Sequence, residues 1–139
     1  MLCGLEIDYH HGLSGHSDAD VATHAVIDAV LGAAGLGDIG ALFPDTDPAY
    51  EGVSSLALLS EVVARATGAG WRVVNIDVVI VAERPKLAAH RVAMTALLAA
   101  ALRVTGDAVG VKATTTEGMG FEGRGEGISA TAVCLLEQA

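Results

Sequence analysis

Trp71-Arg72-Val73-Val74-Asn75-Ile76-Asp77-Val78-Val79-Ile80-Val81-Ala82 is the stretch on which the fold turns. Val74, Ile76, Val78 and Ile80 fall on one side while Asn75 and Asp77 begin the other, the period of two of a strand with one buried face. Downstream, residues 109–116 and 128–137 read as further strands, the second carrying Ile128, Ala130, Ala132, Cys134 and Leu136 on one side. Upstream, residues 54–67 place Leu56, Leu59, Val63 and Ala66 on one helical face and stop at Gly68. An earlier helix starts after Ser17, whose hydroxyl can cap it while Asp18 and Asp20 oppose the helix dipole, and runs to about residue 34 with Val21, Ala25, Ile27, Val30 and Leu31 as its apolar face. Pro85 is suited to the first turn of a third helix, which ends near Gly106. Residues 1–8 alternate loosely and read as a short strand running into the polar turn Tyr9-His10-His11-Gly12. The order strand, helix, helix, strand, helix, strand, strand describes an α/β (α+β) chain whose mixed sheet is covered by helices on one face, so the other face needs a partner.

The 139 residues suit one domain, and a domain near that size buries about two-thirds of the surface of its unfolded chain. Aromatics make up only 4% of the sequence, so the core must be built from small and medium aliphatic side chains and be extended by contact between subunits. A net charge of -9, with the eight Lys and Arg scattered, argues against a nucleic-acid footprint. Cys3 and Cys134 are too few for a disulfide framework, and no stretch resembles a signal peptide or a membrane span, so a cytoplasmic protein with no membrane partner is expected.

Three constellations could carry chemistry. Asp20, His24 and Asp28 stand at i, i+4 and i+8 of the first helix, after His16 and Ser17, and put two carboxylates and an imidazole on one face. That composition suits zinc or manganese and can border a cleft; a solvated stripe is the plainer alternative. Next comes Gly37-Asp38-Ile39-Gly40-Ala41-Leu42-Phe43-Pro44-Asp45-Thr46-Asp47-Pro48, whose acids suit sugar-like hydroxyls or an ion, although ordinary Asx turns would also explain it. In Lys112-Ala113-Thr114-Thr115-Thr116-Glu117, hydroxyls and amides at a strand end can hold phosphate oxygens and the Glu can hold magnesium against a diphosphate; β-propensity is the alternative for the Thr run. Gly118-Met119-Gly120-Phe121-Glu122-Gly123 spells a dinucleotide fingerprint, but Arg124-Gly125-Glu126-Gly127 leads into a strand rather than a helix, which removes the mechanism. Neither Cys lies in an electropositive motif and no nucleophile elbow exists, so no Ser or Cys triad can be nominated.

Taken together, the blocks H-S-D-A-D-V-x-x-H from His16, L-G-D-I-G-x-L-F-P-D-T-D-P from Leu36 and V-K-A-T-T-T-E-x-x-G-F-x-G-R-G-E-G from Val111 resemble the 2-C-methyl-D-erythritol 2,4-cyclodiphosphate synthase family, from about Gly4 to the C-terminus. The resemblance implies a homotrimer with active sites between subunits. It also implies a cytidine diphosphate-linked substrate, 4-diphosphocytidyl-2-C-methyl-D-erythritol 2-phosphate, that cyclises and releases CMP, and the class of a phosphorus–oxygen lyase. By the same resemblance His24 matches a zinc ligand, and His16 and Ser17 match phosphate-side contacts. Asp38 and Gly40 match contacts to the methylerythritol hydroxyls, with Phe43, Pro44, Asp45, Thr46 and Asp47 lining that pocket and Asp28 on the substrate side. The segment from Ala82 to Ala88, including Pro85 and Lys86, matches the one that receives cytosine and the α-phosphate. Thr114, Thr115 and Glu117 match the hydroxyl and magnesium contacts, His16 and Thr115 being the transition-state stabilisers. Phe121 and Arg124 match residues of the last active-site loop, Arg124 and Glu126 also lining a trimer axis that can take an isoprenoid diphosphate.

The family opens on a strand with an Asp-x-His pair that completes the zinc site, and residues 1–8 match the strand after it. Asp8-Tyr9-His10 spells the same pattern, but only five residues separate His10 from His16. The expectation is therefore a chain short at its N-terminus, with weak or absent zinc and with Asp8 and His10 on a surface turn. Two rival readings are a trimeric nucleotide and isoprenoid-phosphate binding protein impaired in turnover, and a metal phosphohydrolase that uses water.

Overall fold

In the computed structural model, residues 1–7 and 19–139 are described. Helix α1 spans Val21–Ala34, α2 is the single turn Ile39–Leu42, and α3 spans Ser55–Gly68. Strand β1 is Trp71–Val81, α4 is Arg91–Leu102, β2 is Val109–Thr114, α5 is the turn Gly120–Gly123 and β3 is Ser129–Gln138. The sheet order is β2-β1-β3, with β2 parallel and β3 antiparallel to β1. Helices α1 and α3 pack on β1, α1 also lies on β3, and α4 covers β2. The expected mixed sheet with helices on one face is therefore present.

The core lies between this helical layer and the inner sheet face. Leu59, Val62, Ile27, Val30, Leu31, Ile76, Val78, Ile80, Leu98 and Leu102 are buried within it. Full burial of each such side chain stabilises the fold by about 1.5–3 kcal/mol relative to exposure. Helix α3 is capped by Ser54, whose Oγ accepts from Ala57 N, and its buried apolar face is Leu58, Leu59, Val62, Val63 and Ala66. Leu56, expected on that face, is only half-buried. In α1 the buried apolar residues are Ala22, Val26, Ile27, Val30 and Leu31, so the stripe is rotated from the one expected through Val21 and Ala25.

Strand β1 differs from its sequence reading in one instructive respect. Val73, not Val74, is buried with Ile76, Val78 and Ile80, because the pairing with β3 shifts between Val73 and Asn75. A bulge inserts one residue and reverses the facing of everything before it, which a strict period of two cannot anticipate. The N-terminal segment also departs from expectation. Leu2 and Leu5 exchange both backbone bonds at 2.9 Å across Cys3 and Gly4, whose φ values are 50° and 77°, so residues 2–5 form a tight turn instead of a strand. A Cβ on Gly4 would also lie 2.0 Å from the Leu56 side chain.

Pro85 does not open α4. It follows a cis peptide bond in a bent segment anchored by buried Leu87, a 3-10 turn occupies Ala88–His90, and the helix begins at Arg91. The helix ends before Gly106, because Arg103 takes φ 61° and caps it. Residues 8–18 lie outside the described part, and with them the expectations for Ser17 as a cap, for His16 and for Asp8 and His10. The cap observed on α1 is Asp20.

Burial, reinforced by the neighbouring Asp20 carboxylate, pushes the Cys3 thiol up to about 12, and burial raises Cys134 to about 11. Both therefore hold their protons at neutral pH and are poor nucleophiles. Among the described residues no helix is long and apolar enough to cross a membrane.

Candidate functional site

Parallel β1 and β2 run side by side and stop together, with Val81 opposite Thr114 and Ala82 N bonded to Thr114 O at 3.0 Å. The segments that leave them must diverge, and the crevice outside the carboxyl ends of parallel strands is where such sheets hold ligands. Here that crevice is a cleft of about 180 Å³ lined by Ala82, Glu83, Pro85, Lys86, Leu87, Ala88, Arg91, Ala113, Thr114 and Thr115. It joins residues that stand roughly thirty positions apart in the chain and that the sequence assigned separately: Ala82, Pro85, Lys86 and Ala88 on one wall, Thr114 and Thr115 on the other.

The Thr wall is held in place locally. Thr116 N donates to Glu83 Oε2 at 3.3 Å, Glu117 N donates to Thr115 Oγ1 at 3.2 Å, and Thr116 Oγ1 donates to Met119 O. Glu117 has φ 54° and an exposed side chain. A non-glycine residue in that left-handed region costs about 1–2 kcal/mol.

The acidic loop forms a separate group. Asp28 Oδ1 accepts from Ile39 N at 2.8 Å, tying α1 to α2, and Asp38 caps α2 by accepting from Ala41 N at 2.8 Å. Asp47 Oδ1 accepts from Ala49 N at 3.0 Å. Phe43 is buried, edge-on to Tyr50 at 5.2 Å and under the Arg65 guanidinium at 5.6 Å. Pro44 is half-buried, whereas Gly40, Asp45 and Thr46 are exposed. None of these residues lines the Lys86–Thr115 cleft of the same chain.

The i, i+4, i+8 stripe on α1 is divided among three environments. Asp20 is fully buried, with Oδ1 accepting from Cys3 N and Thr23 N at 2.9 Å and Oδ2 accepting from Gly4 N at 2.6 Å and Thr23 Oγ1 at 2.8 Å. Its position at the helix start, where it also meets the 2–5 turn, makes it a cap and clamp rather than a wall of a cleft, which corrects the reading of the stripe as one polar face. His24 is half-buried with Nε2 2.8 Å from Ser55 Oγ, and Asp28 is exposed. Among the described residues no group of three or more His, Cys, Asp or Glu is placed to hold a metal ion.

In the glycine-rich loop, α5 is one turn followed by β3, in keeping with the rejection of a dinucleotide fold. A Cβ on Gly123 would stand 2.2 Å from the Gly118 carbonyl carbon, so that glycine is required by backbone packing. Phe121 is 45% exposed, and Arg124 pairs with Glu126 at 2.7 Å. That contact raises the Arg124 pKa and lowers that of Glu126, each chiefly through the side-chain hydrogen bond.

Of the other lining residues, Glu83 and Leu87 fall within the marked segment 82–88 and Ala113 within the block from Lys112 to Glu117, whereas Arg91 was not singled out. Arg91 carried no local signal, because helix α4 was expected to start six positions earlier.

Residues 1–137 match the YgbB family. A 2-C-methyl-D-erythritol 2,4-cyclodiphosphate synthase from Methylococcus capsulatus is 59% identical over 136 residues, which are 98% of this chain and 86% of that protein. Among solved structures, the bifunctional IspDF from Campylobacter jejuni matches with a TM-score of 0.96 at 41% identity, over 100% of this chain and 38% of the longer one. A 2C-methyl-D-erythritol-2,4-cyclodiphosphate synthase in a CDP-bound form matches with a TM-score of 0.90 at 40% identity, over 99% of this chain and 89% of that chain. The match over residues 1–137 and the identity to these relatives place this chain in the YgbB family, with 2-C-methyl-D-erythritol 2,4-cyclodiphosphate synthases among its relatives.

Proposed function

We infer that this chain converts 4-diphosphocytidyl-2-C-methyl-D-erythritol 2-phosphate to 2-C-methyl-D-erythritol 2,4-cyclodiphosphate with release of CMP, as a phosphorus–oxygen lyase of isoprenoid biosynthesis. The observation that carries the reading is the single cleft shared by Lys86 and the Thr114–Thr115 strand end in a chain of net charge -9. An oxygen of the 2-phosphate forms a bond to the β-phosphorus, the bond from that phosphorus to the bridging oxygen breaks, and CMP leaves with the electron pair. Nucleophile and electrophile are already in one molecule, so the protein must position them and offset charge on the phosphoryl oxygens. The nucleotide end belongs in the cleft, against Ala82, Pro85, Lys86 and Ala88, with Thr114 and Thr115 on its phosphates. His16 and Ser17 are assigned to the phosphates by resemblance alone. Asp28, Asp38, Gly40 and residues 43–47 are assigned to the methylerythritol end, and Phe121 and Arg124 to the closing loop.

Glu117 fits a magnesium role, because an exposed carboxylate is held two residues past Thr115 in a backbone conformation that a Glu adopts only at a cost. Bound there, magnesium would neutralise diphosphate charge. The described residues do not by themselves form a zinc site: His24, the matched ligand, lies against Ser55, and tetrahedral sites normally use three or four protein donors. No step is derived through zinc.

Val133 and Leu135 are 69% and 56% exposed on the sheet face away from the helices, where they stand opposite Asp77 and Asn75 in the pairing of β3 with β1. Two large apolar side chains left exposed on that mixed face support the homotrimer, in which the acidic loop of one subunit meets the cleft of another and Arg124 with Glu126 borders the axis that can take an isoprenoid diphosphate. A cytoplasmic location accords with two free cysteines. Sedimentation should find three chains per particle; a monomer at micromolar concentration would count against the trimer. Incubation with the substrate and magnesium should release CMP and cyclic product in equal amounts, and a chain that binds the substrate without releasing CMP would favour the impaired binding protein.

A further inference from the structure

Strands β1 and β2 keep their ladder as far as Ala82 N, which donates to Thr114 O at 3.0 Å. In a parallel ladder the same residue next accepts from the amide two positions further along its neighbour, so Thr116 N is due to donate to Ala82 O. It donates instead to Glu83 Oε2, at 3.3 Å. Beyond the Ala82 bond this is, among the described residues, the one hydrogen bond between segments 82–88 and 114–117. The Glu83 carboxylate thus stands in for a rung of the sheet where the two walls of the cleft part.

A carboxylate is a costly choice for that task. Glu83 lines the cleft together with Lys86 and Arg91, yet among the described residues it pairs with neither. Its charge repels phosphate in the same cleft. What the charge supplies is a stronger acceptor for the amide, since a hydrogen bond to an ionised group is about twice as strong as a neutral one. The amide so held belongs to the residue between Thr115 and Glu117, both of which are exposed. The bond from Glu117 N to Thr115 Oγ1 shapes their turn but does not fix it relative to the facing wall, whereas the bond to Glu83 does.

We propose that Glu83 is a positioning residue for the reaction, acting through the Thr116 amide to set the Thr115–Glu117 turn against the wall that holds the nucleotide. The proposal rests on the reaction given above, and Glu83 itself touches no reacting atom.

The test compares Glu83→Ala, Glu83→Gln and the double variant Glu83→Ala with Glu117→Gln, in turnover of the full chain over a magnesium titration. Glu83→Ala should lower kcat about tenfold, the scale of a lost charge-assisted hydrogen bond, and raise the magnesium concentration for half-maximal rate about threefold. The substrate KM should change less than about twofold, because no contact to the ligand is removed. Glu83→Gln keeps an acceptor oxygen and should recover most of the loss. The double variant should need no more magnesium than Glu117→Gln alone, because both changes disable one arrangement. Independently of turnover, exchange of the Thr116 amide hydrogen should quicken about tenfold in Glu83→Ala. An unchanged kcat in Glu83→Ala, a raised KM at unchanged kcat, an unchanged exchange rate, or equal losses in Glu83→Ala and Glu83→Gln would overturn the role of Glu83 and leave the reaction standing. An unaltered chain that forms no cyclic product would overturn the reaction itself and this proposal with it.

Discussion

Thr115→Val should lower kcat by about a hundredfold to a thousandfold, the range seen when one donor aimed at developing transition-state charge is removed. The substitution nearly preserves volume and β-propensity, and Thr115 is exposed just beyond β2, so folding should be unaffected and the loss should fall on chemistry. Thr115 Oγ1 also accepts from Glu117 N at 3.2 Å, so removing the hydroxyl loosens the turn that presents the Glu117 carboxylate. Glu117→Gln removes the charge while leaving the backbone in place, and should raise the magnesium concentration needed for half-maximal rate by about tenfold. Steady-state rates over a magnesium titration separate the two effects: the valine variant should stay slow at saturating magnesium, whereas the glutamine variant should recover in large part. Unchanged rates in both variants would move the phosphate chemistry away from this strand end.

Asp20→Ala should produce the largest loss of stability, about 3–5 kcal/mol, because it removes a helix cap and leaves several buried donors without their acceptor. One carboxylate receives Cys3 N, Gly4 N, Thr23 N and Thr23 Oγ1, and the Asp20 residue is fully buried. It therefore joins the 2–5 turn to the start of α1. Asp20→Asn keeps one acceptor oxygen but turns an amide group toward donors, so an intermediate loss is expected. Urea denaturation of both variants reads the result as a lowered midpoint at similar slope. A loss of less than about 1 kcal/mol in Asp20→Ala would show that the turn is not anchored through this residue.

The fate of Asp20 illustrates how much of the site was legible in the sequence. The spacing of Asp20, His24 and Asp28 suggested one polar face of a helix, but Asp20 is the cap ahead of α1 and the three lie at different depths, which spacing does not reveal. Depth was decided by tertiary structure, since Cys3 and Gly4 bring two donors to Asp20 from a turn that hydrophobic alternation had made into a strand. The reverse holds for the cleft. Lys86 and Thr115 stood out locally, and the parallel pairing of β1 with β2 supplied the long-range step that joins them. Arg91 was invisible because Pro85, a good first-turn residue in isolation, sits in a bend that delays α4. The strands, helices and covered face were readable because their signals repeat every two or 3.6 residues. The bulge at Val73 and the cap at Arg103 were not, because each depends on a single backbone conformation.

In the proposed reaction phosphate attacks phosphate within one bound substrate, and water takes no part. Turnover in water enriched in oxygen-18, with magnesium present and the phosphorus products followed by NMR and mass spectrometry, should give CMP and 2-C-methyl-D-erythritol 2,4-cyclodiphosphate in equal amounts, with no oxygen-18 in either. An open-chain phosphate product carrying oxygen-18 would mean that water is the nucleophile and that the chain is a hydrolase.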